Sequence, residues 1–217
     1  MPSIFYSWQS DSPRNTNKNF IEKALARAIG NINDEVKLEE AVRETISLDK
    51  DTKGVPGTPP ITETIFNKIS ESAVFVADLS FVAKSDGGRF VPNPNVLIEY
   101  GWALKALGHG KMLPIMNVAS GGPGAHNENM PFDMRHLRNP IQYNLSDDSS
   151  RGESKKILDK LTGELSSAIR SILDTGIAIG TQKVPAVVEV GYNTLSTSQV
   201  LHLSLIHISE PTRQAEI

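Results

Sequence analysis

The 217-residue chain contains no cysteine, which excludes disulfides, thiolate nucleophiles and cysteine-ligated zinc or iron–sulfur centres. Its five histidines do not have metal-ligand spacing, so no metal site is predicted. No apolar run approaches the roughly 18 residues that a membrane-spanning helix needs. The N-terminus also lacks the positive and apolar regions of a signal peptide. We therefore expect a cytoplasmic protein that does not bind a membrane.

Neither sign of charge is in large excess. The chain has 22 basic and 25 acidic residues, which are interspersed and give a net charge of −3. Because no stripe of Lys and Arg is available to neutralise phosphates, we do not expect nucleic acid as a partner. A hydrophobic fraction of 39% in a chain of this length fits one globular domain plus a remainder.

Short apolar runs alternate with amphipathic segments along most of the chain. This alternation predicts an α/β protein with a flavodoxin-like, doubly wound, five-stranded parallel sheet. Gly30 is expected to end the first helix. In such sheets ligands bind beyond the carboxyl ends of the strands, where the strand order reverses. The predicted strands are 4–8, 44–48, 73–77, 112–118 and 141–145, and the predicted helices are 20–29, 59–69, 93–107 and 153–173. Pro59 and Pro60 suit a first helical turn, and Asn93 before Pro94 is a good helix start.

Glu99 is the main candidate for a catalytic residue. Its neighbours between residues 96 and 104 are apolar on every helical face, so we expect a buried helix. A buried carboxylate usually has a partner or a chemical task. Asn95 and Trp102 lie one turn to either side and place an amide and an aromatic ring on the same stripe. The alternative is a Glu at the margin of a half-buried helix that forms a salt bridge.

Polar side chains at the predicted strand ends are further candidates. Ser7, Trp8 and Gln9 follow the first strand, and Asp78 follows the third. The alternatives are an ordinary polar strand exit for the first group and a cap of the following turn for Asp78. The glycine-rich stretches at 86–88 and 121–124 match neither a dinucleotide fingerprint nor a P-loop, so no cofactor is predicted.

Four stretches together resemble bacterial TIR-type domains. They are residues 4–11 (IFYSWQSD), 49–57 (DKDTKGVPG), 74–78 (VFVAD) and 93–101 (NPNVLIEYG). The resemblance is closest to the TIR modules of anti-phage effectors in CBASS and Pycsar systems, including the TIR–STING type, and covers residues 4 to about 173. It implies a TIR fold and a hydrolase that cleaves NAD+ at the nicotinamide–ribose bond, with Glu99 as the catalytic glutamate.

The resemblance implies that NAD+ is the substrate of the enzyme and not a cofactor. Nicotinamide is a cationic leaving group that needs no acid, so one carboxylate beside the oxocarbenium-like ribosyl centre suffices. Hydrolysis and cyclisation of the ADP-ribose product both remain open. The resemblance implies that Asp49, Lys53, Gly54 and Gly57 belong to a loop, 49–58, through which the domain self-associates. From their positions and chemistry we expect the substrate-binding residues to be Ser7, Trp8, Gln9, Asp78, Asn95 and Trp102. Trp8 or Trp102 could stack on a base or on the nicotinamide ring, and Asn95 could orient Glu99 or bind a ribose hydroxyl.

Two other functions are compatible with the same residues. The Asn95 and Glu99 pattern also resembles nucleoside 2-deoxyribosyltransferases, which share the fold and the N-glycosidic chemistry. A TIR domain that only scaffolds partners through the 49–58 loop is the non-enzymatic alternative. A carboxylate within an apolar helix favours an enzyme over a scaffold.

The C-terminal part of the chain differs in character from residues 1–173, which we assign to the TIR-like domain. Residues 174–202 are expected to be a linker or the start of a truncated second region. Residues 203–213 (LSLIHISEPTR) resemble, residue for residue, the translation of a transposase adapter used to prepare sequencing libraries. We therefore expect residues 203–217 to be non-native and a C-terminal sensor domain, which in the resembled systems binds a cyclic nucleotide, to be missing.

Overall fold

The computed structural model describes residues 2–38, 46–50, 60–125 and 127–180. The chain divides into two units, Met1–Ile179 and Gly180–Ile217. Apart from Gly180, the second unit lies outside the described residues, as do the predicted non-native tail and most of the predicted linker. The fold described here is that of the first unit.

Strands and helices alternate along the described residues, as the sequence predicts. None of these helices is both long enough and apolar enough to cross a membrane. The helices are α1 (Lys18–Leu38), α2 (Ile61–Glu71), α3 (Pro94–Leu107) and α4 (Arg151–Gly180). The strands are β1 (Ser3–Ser7), β2 (Ser47–Asp49), β3 (Val74–Asp78), β4 (Phe81–Lys84), β5 (Phe90–Pro92), β6 (Met112–Asn117) and β7 (Ile141–Tyr143).

Five strands form the central sheet in the order β2-β1-β3-β6-β7. Each neighbouring pair is parallel. This order is that of the flavodoxin-like doubly wound fold, and it confirms the predicted fold class. The strand order reverses between β1 and β3, so the carboxyl ends of these two strands border the expected ligand-binding crevice.

The two faces of the sheet are covered by different helices. On one face Ile4 and Tyr6 of β1 pack with α1 and α4. On the other face Phe5 packs with α2 and α3. Because side chains alternate along a strand, Ser7 shares the α2/α3 face with Phe5, whereas Asp78 shares the α1/α4 face with Val74 and Val76.

A small antiparallel hairpin of β4 and β5 lies outside the central sheet and was not predicted. Its strands contain only four and three residues, too short for a periodic pattern to stand out. Phe81 and Phe90 stack across it with ring centroids 4.9 Å apart. Gly121 approaches this pair so closely that a Cβ there would lie 2.8 Å from the Phe90 ring.

Two predicted helix ends are wrong. α1 does not stop at Gly30, because the following turn buries Ile32 and because Asn33 forms two side-chain hydrogen bonds to the backbone of Ile46. α4 continues through Gly180, beyond the predicted domain boundary at 173. A glycine inside a helix costs only about 1 kcal/mol relative to alanine, so it does not by itself end the helix.

Candidate active site

Ser7 and Glu99 meet at the carboxyl end of β1. The Ser7 Oγ donates a hydrogen bond of 2.5 Å to Glu99 Oε2. Ser7 is the last residue of β1 and is 1% exposed, while Glu99 lies in the first half of α3 and is half-buried. The structure therefore brings a carboxylate to the point where the strand order reverses, the location at which this fold binds ligands.

The helix that carries Glu99 is half-buried, which corrects the prediction that it is buried on all sides. Val96, Tyr100 and Ala103 face the sheet, and Ile98 on the outer surface is 60% exposed. α3 belongs to the outermost layer of a doubly wound fold, so only one of its faces can pack against the sheet. Because the outer residues of α3 are also apolar, the sequence pattern predicted burial on every face.

Asp78 does not join Glu99, because it points to the opposite face of the sheet and is completely buried. Its Oδ1 accepts hydrogen bonds from the backbone N–H of Ser80 at 3.0 Å and from the Ser80 hydroxyl at 2.5 Å. Its Oδ2 accepts one from Asn17 at 3.4 Å. This is the turn cap that the sequence offered as the alternative. Because Asp78 has no exposed surface to contact a substrate, the structure indicates a structural role for it and not the predicted substrate-binding role.

We expect Asp78 to make the stability of the domain depend on pH. Burial raises the pKa of its carboxyl above the ordinary value of 3.8, and this effect outweighs the hydrogen bonds from Ser80, Asn17 and Gln9, which lower the pKa. The folded protein therefore binds the Asp78 proton more tightly than the unfolded chain does. The resulting stabilisation is present below the unfolded pKa and is lost as the pH rises through the higher folded pKa.

Urea unfolding of the wild type and Asp78→Asn at a series of pH values checks this expectation. The stability of the wild type relative to the variant should fall as the pH rises above about 3.8. Asp147→Asn is the matched control, because Asp147 is exposed in the loop after β7. Parallel pH profiles for the wild type and Asp78→Asn would contradict the assignment.

Trp8 and Gln9 follow Ser7 directly at the end of β1. Trp8 packs against the α1/α4 core, and Lys18 Nζ lies 3.0 Å from the centre of its ring. One face of the indole is therefore already covered by a cation. Gln9 is 2% exposed, and its Nε2 donates to the Ser12 hydroxyl at 3.0 Å and to the Ser80 carbonyl at 3.4 Å. Gln9 thus holds the loop after β1 against the end of β3.

Trp102 and Asn95 lie on α3 but face different surroundings. The Trp102 indole stacks on Phe66 of α2 with ring centroids 4.5 Å apart. Its Nε1–H donates to the Phe66 carbonyl at 3.1 Å and to the Ser70 hydroxyl at 3.0 Å. These contacts join α2 to α3. Asn95 is exposed one turn before Glu99, and its predicted ribose contact stays a prediction.

The predicted self-association loop is described only at its first residues. Asp49 ends β2, and its carboxylate accepts a hydrogen bond of 2.8 Å from Lys68 Nζ of α2. The next residue, Lys50, forms an ion pair of 2.5 Å with Glu22 of α1. Lys53, Gly54 and Gly57 lie outside the described residues, so their predicted role stays a prediction.

Asp11 and Asn93 lie in two of the stretches that carry the resemblance, but neither was predicted to bind substrate or to act in catalysis. Asn93 Nδ2 donates a hydrogen bond of 2.6 Å to Asp11 Oδ2. Asn93 Oδ1 accepts from the backbone N–H groups of Asn95 and Val96 and so caps α3. Asn93 before Pro94 indicated the helix start. No local pattern indicated that its amide would reach a residue 82 positions earlier in the chain.

No model in a scan of protein families matches this chain, and no curated protein matches it either. Among the described residues, no three His, Asp or Glu side chains are grouped so that they could hold a metal ion. A function therefore has to be supported by the contact between Ser7 and Glu99 and by its place in the fold. The resemblance to TIR-type domains stays a prediction.

Proposed function

We propose that the chain is a TIR-like NAD+ glycohydrolase in which Glu99 is the catalytic carboxylate. The observation that carries this proposal is the 2.5 Å hydrogen bond from Ser7 Oγ to Glu99 Oε2 at the carboxyl end of β1. It holds a half-buried carboxylate in one orientation beside the crevice where the strand order reverses. Pre-orientation of this kind favours electrostatic stabilisation of charge that develops during a reaction.

The chemistry requires one carboxylate and not a pair. Glycosidases that act on neutral leaving groups use two carboxyl groups, one of which protonates the departing oxygen. Nicotinamide leaves NAD+ as a neutral molecule from a cationic ring, so no acid is needed. Asp78, the other carboxylate that was predicted to bind substrate, is buried on the opposite face of the sheet. A single Glu99 carboxylate facing the ribosyl cation is consistent with cleavage of a bond to a cationic leaving group.

The biological role follows from the same resemblance. TIR modules of this type act as effectors of bacterial anti-phage defence, where self-association activates NAD+ cleavage in response to a sensor domain. For this chain we propose activation through the 49–58 loop. Asp49 anchors the start of that loop to α2 through Lys68, so a change in the loop is coupled to the helix that packs beside α3.

The test is an assay of the full chain with NAD+ over a wide range of protein concentrations. Chromatography should detect nicotinamide together with ADP-ribose or its cyclic form. The rate per molecule should rise with protein concentration because self-association activates the site. A parallel reaction contains a deoxynucleoside and a second free base. Exchange of the base without loss of NAD+ would favour a nucleoside 2-deoxyribosyltransferase. The absence of both reactions at every concentration would favour a scaffold.

A further inference from the structure

Asn93 uses both ends of its side-chain amide. Its Oδ1 accepts hydrogen bonds from Asn95 N at 2.8 Å and from Val96 N at 3.2 Å, and its Nδ2 donates one of 2.6 Å to Asp11 Oδ2. The residue is only 6% exposed. One side chain therefore caps α3 and at the same time attaches that helix to the loop after β1.

Capping alone does not require asparagine at this position. Asp, Ser and Thr are also good N-cap residues, since each presents an oxygen to the free N–H groups of the first turn. Only the amide of asparagine adds an N–H donor for a carboxylate. An aspartate at position 93 would cap the helix equally well, but it would place a second negative charge against Asp11. The Asp11 contact is thus a separate function of Asn93.

Two hydrogen bonds connect the same two segments. Ser7 and Asp11 belong to the end of β1 and the loop that follows, while Glu99 and Asn93 belong to α3 and its cap. Glu99 lies six residues after Asn93, which is about 9 Å along a helix. Two attachments at this separation define both the position and the rotation of α3 relative to β1. Displacing Asn93 moves Glu99, because the intervening residues are one rigid helix.

The loop between the two attachments is itself held in place. Gln9 is buried, and its amide donates to the Ser12 hydroxyl and to the Ser80 carbonyl beyond β3. The loop therefore offers Asp11 as an anchored acceptor. We propose that Asp11 and Asn93 are positioning residues that hold Glu99 against Ser7. As far as it concerns catalysis, this proposal rests on the proposed NAD+ cleavage.

Exchange of the two side chains tests the proposal. Asn93→Asp keeps the cap but places two carboxylates against each other. It should lower kcat about tenfold or more while changing KM less than about threefold. Misplacement of a catalytic group by about 1 Å lowers the rate by up to about a hundredfold. Asp11→Asn keeps an acceptor for Asn93, so kcat should stay within about threefold. The double variant Asp11→Asn with Asn93→Asp restores a donor opposite a carboxylate. Its kcat should return to within about threefold of the wild type, a coupling that two independent sites would not produce.

Asn144→Asp is the matched control for Asn93→Asp. Asn144 is exposed after β7, so the same change in charge there should leave kcat unchanged. Thermal melts identify a temperature at which every variant is folded, and rates are compared at that temperature. Equal kcat for folded Asn93→Asp and the wild type, or no recovery in the double variant, would overturn the proposal.

A second measurement does not depend on catalysis. The side-chain carboxyl of Glu99 is followed by carbon-13 NMR in the full chain, with Ser7→Ala as the reference for a lost Ser7 contact. In Asn93→Asp the Glu99 resonance should move towards its position in Ser7→Ala, and in the double variant it should return. A resonance unchanged in Asn93→Asp would refute the positioning role. A shifted resonance in a protein that does not cleave NAD+ would refute the proposed function alone.

Discussion

Replacement of Glu99 by Gln is expected to lower nicotinamide release about a hundredfold to a thousandfold, the usual effect of removing one group that stabilises charge in the transition state. Gln has the same shape but no charge, so it cannot stabilise a ribosyl cation. Its carbonyl oxygen can still accept the hydrogen bond that Ser7 donates to Glu99 Oε2. The fold should therefore persist, with a thermal midpoint close to that of the wild type, while the chemical step is lost.

Initial rates of nicotinamide release at saturating NAD+ provide the measurement. Glu71→Gln is the matched control, because it removes the same charge from an exposed residue at the end of α2. It should retain the wild-type rate. If Glu99→Gln kept a rate within about threefold of the wild type, Glu99 would have no catalytic role and the proposed mechanism would be wrong.

Asn117→Ala is expected to lower the free energy of unfolding by about 3 kcal/mol, more than any other variant proposed for this protein. The substitution leaves several buried backbone groups without their hydrogen-bond partner. Asn117 ends β6 and is 4% exposed. Its side chain accepts from Leu145 N at 3.1 Å and donates to Leu145 O at 2.8 Å. It also donates to Thr16 O at 3.3 Å. One amide thus joins the end of β6 to the segment after β7 and to the loop before α1.

Urea unfolding monitored by circular dichroism measures this effect through the midpoint of the transition. Asn144→Ala is the control, because it removes an exposed asparagine at the neighbouring strand end and should change stability by no more than about 0.5 kcal/mol. A loss below about 1 kcal/mol in Asn117→Ala would mean that other groups replace its hydrogen bonds.

The two variants separate two neighbouring sets of residues at the same edge of the sheet. Glu99 and Ser7 lie on the α2/α3 side, where a polar group is held but remains partly accessible. Asn117 and Asp78 lie in a buried polar network that spans the ends of β3, β6 and β7. We expect changes in the first set to affect rate and changes in the second set to affect stability.

Much of the fold was predictable from local patterns. The uniformly apolar run that became β3 is typical of a strand covered on both faces. Asn93 and Pro94 marked the start of α3, and Gly108 follows its end. The order of these elements, together with right-handed crossovers, favours the observed sheet. The ends of α1 and α4 were not predictable, because burial of residues such as Ile32 outweighs the small cost of a glycine.

The candidate site was predicted less well than the fold. Ser7, Trp8 and Asp78 were grouped because all three lie at strand ends, yet the structure distributes them over two faces of the sheet. The side-chain alternation that separates Ser7 from Asp78 can be read from their neighbours Phe5 and Val76. It becomes informative only when the helices that cover each face are known.

The sequence by itself determined the α/β class, the positions of the principal strands and helices, and the presence of one carboxylate in the apolar helix α3. These properties depend on residues close together in the chain, so local periodicity and capping chemistry express them. Only the tertiary structure decided that Glu99 accepts from Ser7 and that Asn93 donates to Asp11. These pairs are 92 and 82 residues apart in the chain, and the packing of α3 against the sheet is what brings them together.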